Sequence, residues 1–134
     1  MIGVLPNALW TLPILADGRN GDIFGLLAAL ASATLAFWAM RTMLRAGERP
    51  DPGAPTKAIV DQGPFARTRN PIYISFALFD IGVALLLNNL WIILALAIFM
   101  VYVDIGIVRR EERYLEQQLG DEYLKYKRSV RRWI

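Results

Sequence analysis

Two long apolar runs constrain the fold of this 134-residue chain more than any other feature of its sequence. No charged residue lies between Ile23 and Met40, and the run from Leu90 to Val108 contains a single charge, Asp104. An apolar helix of about 20 residues is long enough to cross the hydrocarbon core of a bilayer. The sequence therefore predicts membrane-spanning helices over residues 23–44 and 90–108.

A third apolar helix is predicted over residues 71–87. It has a favourable start in Asn70-Pro71, because asparagine caps helix N-termini well and proline fits the first helical position. At its end, Asn88-Asn89 leaves room for only a short turn before the next apolar run. The helices at 71–87 and 90–108 are therefore expected to be antiparallel neighbours.

The N-terminal part of the chain is less regular. Residues 2–16 are apolar but short for a span, and they contain Pro6 and Pro13. We predict a further membrane helix over residues 2–16, with a segment lying in the membrane interface as the alternative. Residues 17–22 are rich in Gly, Asp and Asn, and this composition predicts a turn.

The segment 109–134 is predicted to be an amphipathic helix that is interrupted once. We expect Gly120 to end its first part and Asp121 to cap its second. Its apolar residues recur at helical spacing and share one face: Leu115, Leu119, Tyr126, Val130 and Trp133. The predicted fold class is an all-α integral membrane protein, one domain over residues 1–134. It has three to four transmembrane helices and a cytoplasmic amphipathic C-terminal helix.

The positive charges are divided between two segments. Six of the 15 Lys and Arg residues lie between Arg41 and Arg69, and eight lie between Arg109 and Arg132. Because two predicted spans separate these segments, both lie on the same side of the membrane, which the positive-inside rule makes the cytoplasm. The polar residues before Pro71 and the tail are therefore expected to meet at the cytoplasmic surface.

The residue types that are absent exclude several kinds of site. The sequence has no Cys and no His, so thiolate metal sites are excluded and zinc or haem enzymes are not expected. No Gly-rich loop follows a predicted strand, which excludes the soluble Rossmann type of methyltransferase. We expect no metal.

Two polar stretches supply the candidate site residues. Arg69, Asn70 and Tyr73 stand at the start of one predicted span, and Glu111 and Glu112 follow the end of another. Taken alone, the first stretch is also explained as a capped span with arginines at the lipid headgroups. The second, taken alone, is also explained as a solvated helix face with salt bridges. Taken together, they suit a zwitterionic, ribose-bearing ligand, since arginine clamps carboxylates and glutamate accepts from hydroxyl or ammonium groups.

Three motifs occur in order along the chain. They are Gly63-Pro64-Phe65, then Arg69-Asn70-Pro71-Ile72-Tyr73, and then a C-terminal set of Arg110-Glu111-Glu112-Arg113-Tyr114-Leu115, Leu119-Gly120-Asp121-Glu122-Tyr123, Tyr126 and Val130-Arg131-Arg132-Trp133. This order resembles the bacterial members of the isoprenylcysteine carboxyl methyltransferase family and the related phospholipid N-methyltransferases. The resemblance covers residues 23–134. It implies an enzyme of the bacterial inner membrane that uses S-adenosylmethionine at its cytoplasmic face.

The resemblance also implies roles for individual residues. Those carried over to the cofactor pocket are Gly63, Pro64, Arg69, Asn70, Tyr73, Glu111, Glu112, Tyr123 and Arg131. The catalytic candidates are Arg69, Glu112 and Asp104. Two positions depart from the family pattern: Asn70 replaces the His of the eukaryotic Arg-His-Pro, and Asp104 stands where a His is common near the end of the last span.

The methyl acceptor that the resemblance implies is an amphipathic, isoprenylcysteine-like carboxylate. Methyl transfer from a sulfonium needs positioning more than acid catalysis, and a carboxylate is already nucleophilic at neutral pH. A lipid amine, which is the alternative acceptor, must lose a proton. Without His, the candidate bases are Glu112, Asp104 and Tyr73, so the absence of His favours the carboxylate.

An alternative of a different class is a non-catalytic membrane protein. The two clusters of positive charge motivate it, because basic segments beside a span attract anionic lipids. Such a protein would bind anionic lipid or a partner through its basic face. It would tolerate the replacement of Arg69 by Lys, whereas a methyltransferase would lose affinity for its cofactor.

Overall fold

The computed structural model describes residues 12–49 and 55–134. Within these ranges the chain is all-helical, as predicted, and contains no strand. The helices are α1 (Gly18–Arg45), α2 (Pro71–Leu86), α3 (Leu90–Tyr102), a π-helix (Val103–Val108), α4 (Arg109–Leu119) and α5 (Asp121–Ser129), and a 3₁₀ turn spans Gly63–Ala66. The segments from α3 to α4 follow one another without a break and form one long helix, Leu90–Leu119.

Two helices are long and apolar enough to cross a membrane. They are α1, with 28 residues, and the long helix Leu90–Leu119, with 30. Large apolar side chains are exposed on both in the isolated chain, among them Leu30 at 65% and Ile98 at 75%. Exposed apolar surface of this extent is typical of a membrane-facing helix. α2 is apolar but has 16 residues, and its crossing stays a prediction.

The predicted turn at residues 17–22 is wrong, because α1 begins at Gly18. Asp17 caps this helix: its Oδ1 accepts from the backbone N–H of Arg19 at 3.1 Å, and its Oδ2 accepts from the Asn20 side chain at 3.3 Å. An aspartate in this position satisfies a backbone donor that the helix itself leaves unpaired. Capping therefore prevails over the turn-like composition of the segment.

The predicted helix at residues 2–16 is described only in part. Residues 2–11 lie outside the described ranges, and residues 12–16 are not helical. The Asn88 side chain binds this segment instead. Its oxygen accepts from the N–H groups of Ile14 and Leu15 at 2.7 and 2.9 Å, and its nitrogen donates to the Leu15 carbonyl at 2.9 Å. These bonds join the segment to the turn between α2 and α3, and such a distant partner cannot be predicted from local composition.

Small residues allow α1 and α2 to pack closely. A Cβ added to Gly25 would lie 2.8 Å from the Gly82 carbonyl oxygen, and one added to Gly82 would lie 2.9 Å from the Gly25 carbonyl oxygen. Farther along the pair, the Ser32 hydroxyl donates to the Ser75 carbonyl at 2.6 Å. Small residues and interhelical hydroxyl bonds are typical of helix pairs in membranes. The position of α2 is therefore fixed against α1.

The predicted meeting of the tail with the start of α2 is observed. Gly120, with a φ of 57°, interrupts the helix where a break is predicted, but it occupies the cap position itself, so that Asp121 is the first residue of α5 rather than its cap. After α5 the chain becomes extended at Val130 and reaches the segment before Pro71. We call residues 130–133 the C-terminal strap.

Candidate active site

The C-terminal strap is hydrogen-bonded to the polar segment that precedes α2. The Arg69 N–H donates to the Arg131 carbonyl at 2.9 Å. The Arg132 carbonyl oxygen accepts two bonds, from the Thr68 hydroxyl at 3.1 Å and from the Asn70 side-chain amide at 2.9 Å. Both of these donors belong to buried residues. The three bonds fix the strap backbone and so determine where the Arg132 side chain lies.

Glu112 lies at the centre of the site. Its carboxylate, on a side chain that is 9% exposed, accepts two hydrogen bonds of 2.9 Å from Nε and Nη2 of Arg132. It also forms an ion pair of 2.9 Å with Nη1 of Arg69. Paired bonds between a guanidinium and a carboxylate are strong and directional, and the bond with Glu112 raises the pKa of Arg132. Arg69, Glu112 and Arg132 therefore form one ionic cluster, in which Arg69 and Glu112 are the buried members.

Arg132 joins this cluster to a second carboxylate, that of Asp104. Nη1 of Arg132 lies 3.3 Å from Oδ1 of Asp104, which also accepts from the Trp133 indole N–H at 3.0 Å. The other oxygen of Asp104 lies 3.3 Å from Nη2 of Arg109. Asp104 belongs to the π-helix, in which the Arg109 N–H bonds to the Asp104 carbonyl. Such turns inside α-helices are frequent at functional sites.

A groove of about 350 Å³ opens beside Asp104. It lies within the usual range of about 300–1,000 Å³ for ligand pockets. Its lining combines three apolar residues, Met100, Val101 and Ile105, with three that carry polar groups, Asp104, Arg109 and Trp133. Val101 and Ile105 are more than half exposed in the isolated chain. The groove therefore suits an amphipathic molecule that comes from the lipid phase.

Two tyrosines of α5 contact the other side of the cluster. The Tyr123 hydroxyl accepts from Nη1 of Arg69 at 3.3 Å, and the Tyr126 hydroxyl donates to the Phe65 carbonyl at 2.7 Å. Burial raises the pKa of both phenols, so both are protonated at neutral pH. Nε of Arg69 is buried and has no hydrogen-bond partner in the described part of the chain. Because unpaired buried donors are rare, an oxygen acceptor on a bound ligand would suit this atom.

Residues 21–122 match the family model of phospholipid methyltransferases. The chain belongs to the phospholipid methyltransferase family. It is also similar to a protein of Haemophilus influenzae described as uncharacterized: the two are 40% identical over 63 residues, which make up 47% of this chain and the whole of that protein. No solved structure matches the chain. Membership of the phospholipid methyltransferase family indicates a membrane methyltransferase.

The phospholipid methyltransferase match contains all three predicted catalytic residues, Arg69, Asp104 and Glu112. Arg69 and Glu112 contact each other directly, and Arg132 links both acids. Their catalytic roles stay predictions. The resemblance to isoprenylcysteine carboxyl methyltransferases is supported only at the level of the broader family.

The other residues predicted to bind the cofactor lie in different settings. The Tyr73 hydroxyl donates to Glu111 at 3.1 Å, which joins the start of α2 to the start of α4. Gly63, with a φ of 57°, packs on α1, where an added Cβ would lie 2.7 Å from the Thr42 hydroxyl oxygen. Pro64 beside it is buried. The geometry thus gives Gly63 and Pro64 a role in positioning the polar segment against α1.

Asn70 has the predicted position but a different partner. It precedes α2 as the cap residue, yet its side chain makes no capping bond. The side chain donates instead to the carbonyl of Arg132, so Asn70 binds the strap and not its own helix.

Arg132, and not the predicted Arg131, enters the cluster. Arg131 is exposed, and its Nη1 donates to the Ile134 carbonyl at 3.4 Å. Arg132 is partly buried and its side chain reaches Glu112, whereas Arg131 is exposed. Sequence reasoning missed Arg132, Trp133 and Thr68. The available signal was the apolar Val130, which is buried at the start of the strap.

Proposed function

We propose that this protein transfers a methyl group from S-adenosylmethionine to an amphipathic lipid at the membrane surface, and that a lipid amine is the acceptor. One observation carries the proposal: Arg69 and Glu112, both within the phospholipid methyltransferase match, form a buried ion pair of 2.9 Å beside an amphipathic groove. The proposed arrangement has three spans, or four if residues 2–16 cross, with the cluster at the cytoplasmic face of a bacterial inner membrane.

The residues of the cluster fit the functional groups of S-adenosylmethionine. The molecule has a carboxylate, an ammonium group and ribose hydroxyls, and it supplies a methyl group on a sulfonium sulfur when bound. The unpaired Nε of Arg69 suits its carboxylate oxygens. Glu111 is exposed and accepts a hydrogen bond from the Tyr73 hydroxyl, so its other carboxylate oxygen can accept from hydroxyl groups of a ligand. The proposed pocket is completed by Asn70, Tyr123, Gly63 and Pro64. Arg132 takes the role that the sequence analysis assigned to Arg131.

The groove beside Asp104 suits the acceptor. Met100, Val101 and Ile105 would hold an acyl chain, and the carboxylate of Asp104 would hold an ammonium headgroup. An amine must lose a proton before it can be methylated. Asp104 is the acid of this groove, and we assign proton acceptance to it. Arg132 links this carboxylate to Glu112 and so holds the two parts of the proposed site together.

Carboxyl O-methylation of an isoprenylcysteine-like acceptor is the second candidate. Arg109 favours it, because its guanidinium lies in the same groove, is 54% exposed and contacts only Asp104, at 3.3 Å, among the described residues. A guanidinium of this kind can orient a carboxylate. A carboxylate acceptor needs no base, which agrees with the absence of His from the sequence.

Titration calorimetry in detergent with S-adenosylhomocysteine, the demethylated product, tests the cofactor. We expect the wild-type protein to bind it and Glu111→Gln to bind it about tenfold more weakly. The variant loses one hydrogen bond to the ligand, and a loss of about 1.4 kcal/mol raises Kd tenfold. Glu122→Gln, an exposed acid of α5, is the matched control and should bind as the wild type does. Absence of binding by a helical wild-type protein would refute the proposal.

The acceptor is tested by incubating the protein with methyl-labelled S-adenosylmethionine and extracted lipids. A labelled product that survives mild base is an amine, as the first candidate predicts. A product that releases labelled methanol in base is a methyl ester, as the second predicts. If no lipid is labelled although the cofactor binds, both acceptor classes are wrong. The non-catalytic alternative predicts in addition that Arg69→Lys leaves every binding measurement unchanged.

A further inference from the structure

A second groove lies on α1, formed by residues that take no part in the cluster. Its volume is about 580 Å³, and it is lined by Phe37, Met40, Arg41, Leu44 and Arg45. These five residues follow the i, i+3, i+4, i+7, i+8 pattern of a single helix face, and all five are exposed in the isolated chain. The buried residues of this helix, such as Ser32 and Ala39, belong to another face.

Among the residues that the structure describes, the two arginines of this groove have no acidic partner. Neither Arg41 nor Arg45 has a carboxylate within 4 Å in residues 12–49 and 55–134, whereas Arg69, Arg109 and Arg132 are all paired with acids. Like charges one helical turn apart destabilise a helix. The Cα atoms of the two arginines are about 6 Å apart along the axis at 1.5 Å per residue, a spacing from which two long side chains can both reach one anion.

The apolar part of the groove is aligned with this charge. The Arg41 guanidinium lies over the Phe37 ring, 5.9 Å from its centroid, an arrangement that orients the charged group along the helix. Phe37, Met40 and Leu44 are 64, 44 and 60% exposed. Arg45 is the last residue of a helix long enough to span a bilayer. The groove therefore combines two guanidinium groups with apolar side chains at the end of a helix long enough to span a bilayer.

We propose that the groove on α1 is a binding site for an anionic phospholipid. The headgroup phosphate is held between Arg41 and Arg45, and an acyl chain lies along Phe37, Met40 and Leu44. Basic residues next to a span attract anionic lipids, and guanidinium groups match the geometry of phosphate oxygens. This lipid is separate from the methyl acceptor, because neither arginine lines the groove beside Asp104.

Native mass spectrometry of the protein, released from nanodiscs of equal parts phosphatidylglycerol and phosphatidylcholine, tests the site. The wild-type protein is expected to retain phosphatidylglycerol at least fivefold more often than phosphatidylcholine. The double variant Arg41→Gln/Arg45→Gln should lose this preference. Arg19→Gln, at the opposite end of the same helix and also exposed, is the matched control and should keep it.

The proposal is overturned if the double variant retains as much phosphatidylglycerol as the wild type, or if the wild type retains both lipids equally. It is also overturned if Arg19→Gln reduces retention as strongly as the double variant does. Both substitutions of the double variant are at exposed positions, and the wild-type comparison needs no variant at all. The measurement does not depend on methyl transfer, so it stands apart from the function proposed above.

Discussion

Arg132 and Glu112 are 20 residues apart in the sequence, yet two hydrogen bonds of 2.9 Å join their side chains. The same guanidinium lies 3.3 Å from Asp104. One residue of the C-terminal strap thus pairs with both acids predicted to be catalytic, Asp104 and Glu112. The strap is therefore a structural part of the site and not a solvated tail.

Replacing Arg132 by Ala should destabilise the protein. It leaves Glu112 with Arg69 alone and takes one partner from Asp104. Loss of one partner from a fully buried pair costs about 3–5 kcal/mol. Because the Arg132 side chain is 29% exposed, we expect about 2–3 kcal/mol after allowing for solvent screening. Thermal unfolding followed by circular dichroism in detergent measures the effect.

Arg131→Ala is the matched control for that experiment. Arg131 is exposed and adjacent in the chain, so its loss should change stability by no more than about 0.5 kcal/mol. Equal effects of the two substitutions would show that the cluster does not depend on Arg132.

Replacing Asn70 distinguishes a strap contact from a helix cap. Asn70→Ala removes the bond to the Arg132 carbonyl and should cost about 1 kcal/mol. Asn70→Asp should cost more, because a carboxylate cannot donate to that carbonyl and repels it. A capping role would give the opposite result for Asp, since Asp and Asn cap helices about equally well. An unfolding temperature that is lower for Asn70→Asp than for Asn70→Ala supports the strap contact, and the reverse order supports a capping role.

Gly25→Ala should weaken the packing of α1 on α2. The added Cβ would lie 2.8 Å from the Gly82 carbonyl oxygen and 2.7 Å from Cγ of Leu86. We expect a loss of about 1–3 kcal/mol, the usual cost of overpacking. Gly18→Ala is the control, because a Cβ there has no atom within 4 Å. A Gly25→Ala protein as stable as Gly18→Ala would contradict the close approach of the two helices.

Stability should decline at alkaline pH through the tyrosines of α5. Burial raises the pKa of Tyr123 and Tyr126 above their ordinary value near 10. A group whose pKa is raised by folding contributes stability that is complete below its unfolded pKa and is lost as pH rises through its folded pKa. Unfolding temperatures should therefore be flat from pH 7 to about 9 and fall above about 10.

Tyr126→Phe provides the control for the pH experiment. It loses the bond to the Phe65 carbonyl, so it should be less stable than the wild type at pH 7. Its decline above pH 10 should nevertheless be shallower, because one titrating group has been removed. An identical slope in both proteins would exclude Tyr126 as a source of the pH dependence.

Patterns that span many residues predicted the larger elements well. The apolar runs predicted the two long helices, and Asn88-Asn89 predicted the turn between α2 and α3. The failure at residues 17–22 has a local cause, because a single capping aspartate outweighs a turn-like composition. The bonds of Asn88 to Ile14 and Leu15 have a distant cause. They depend on the folded arrangement, which no local pattern encodes.

The sequence predicted which segments of the chain form the candidate site, but not every side chain that takes part in it. Charge placement indicated that the residues before Pro71 and the tail would meet, and Arg69 and Glu112 do so. The choice between Arg131 and Arg132 depended on the extended backbone at Val130. A shift of one residue in such a segment reverses every side chain. That choice required the register of the strap, which is set by hydrogen bonds to Thr68, Arg69 and Asn70.

The π-helix at Val103–Val108 makes residue number, and not only residue identity, a determinant of the site. Its wider turn takes up one residue more than an α-helical turn does, so the extra residue is absorbed locally. Deleting one residue within it, such as Gly106, would return the segment to the α-helical pitch and leave Glu112 on about the same face of the helix. A second extra residue before Glu112, with no further wide turn to absorb it, would rotate the carboxylate by about 100° around the axis and away from Arg69. The pair of Arg69 and Glu112 could thus survive a single-codon deletion in the π-helix and be lost to a single-codon insertion, with no change to either residue.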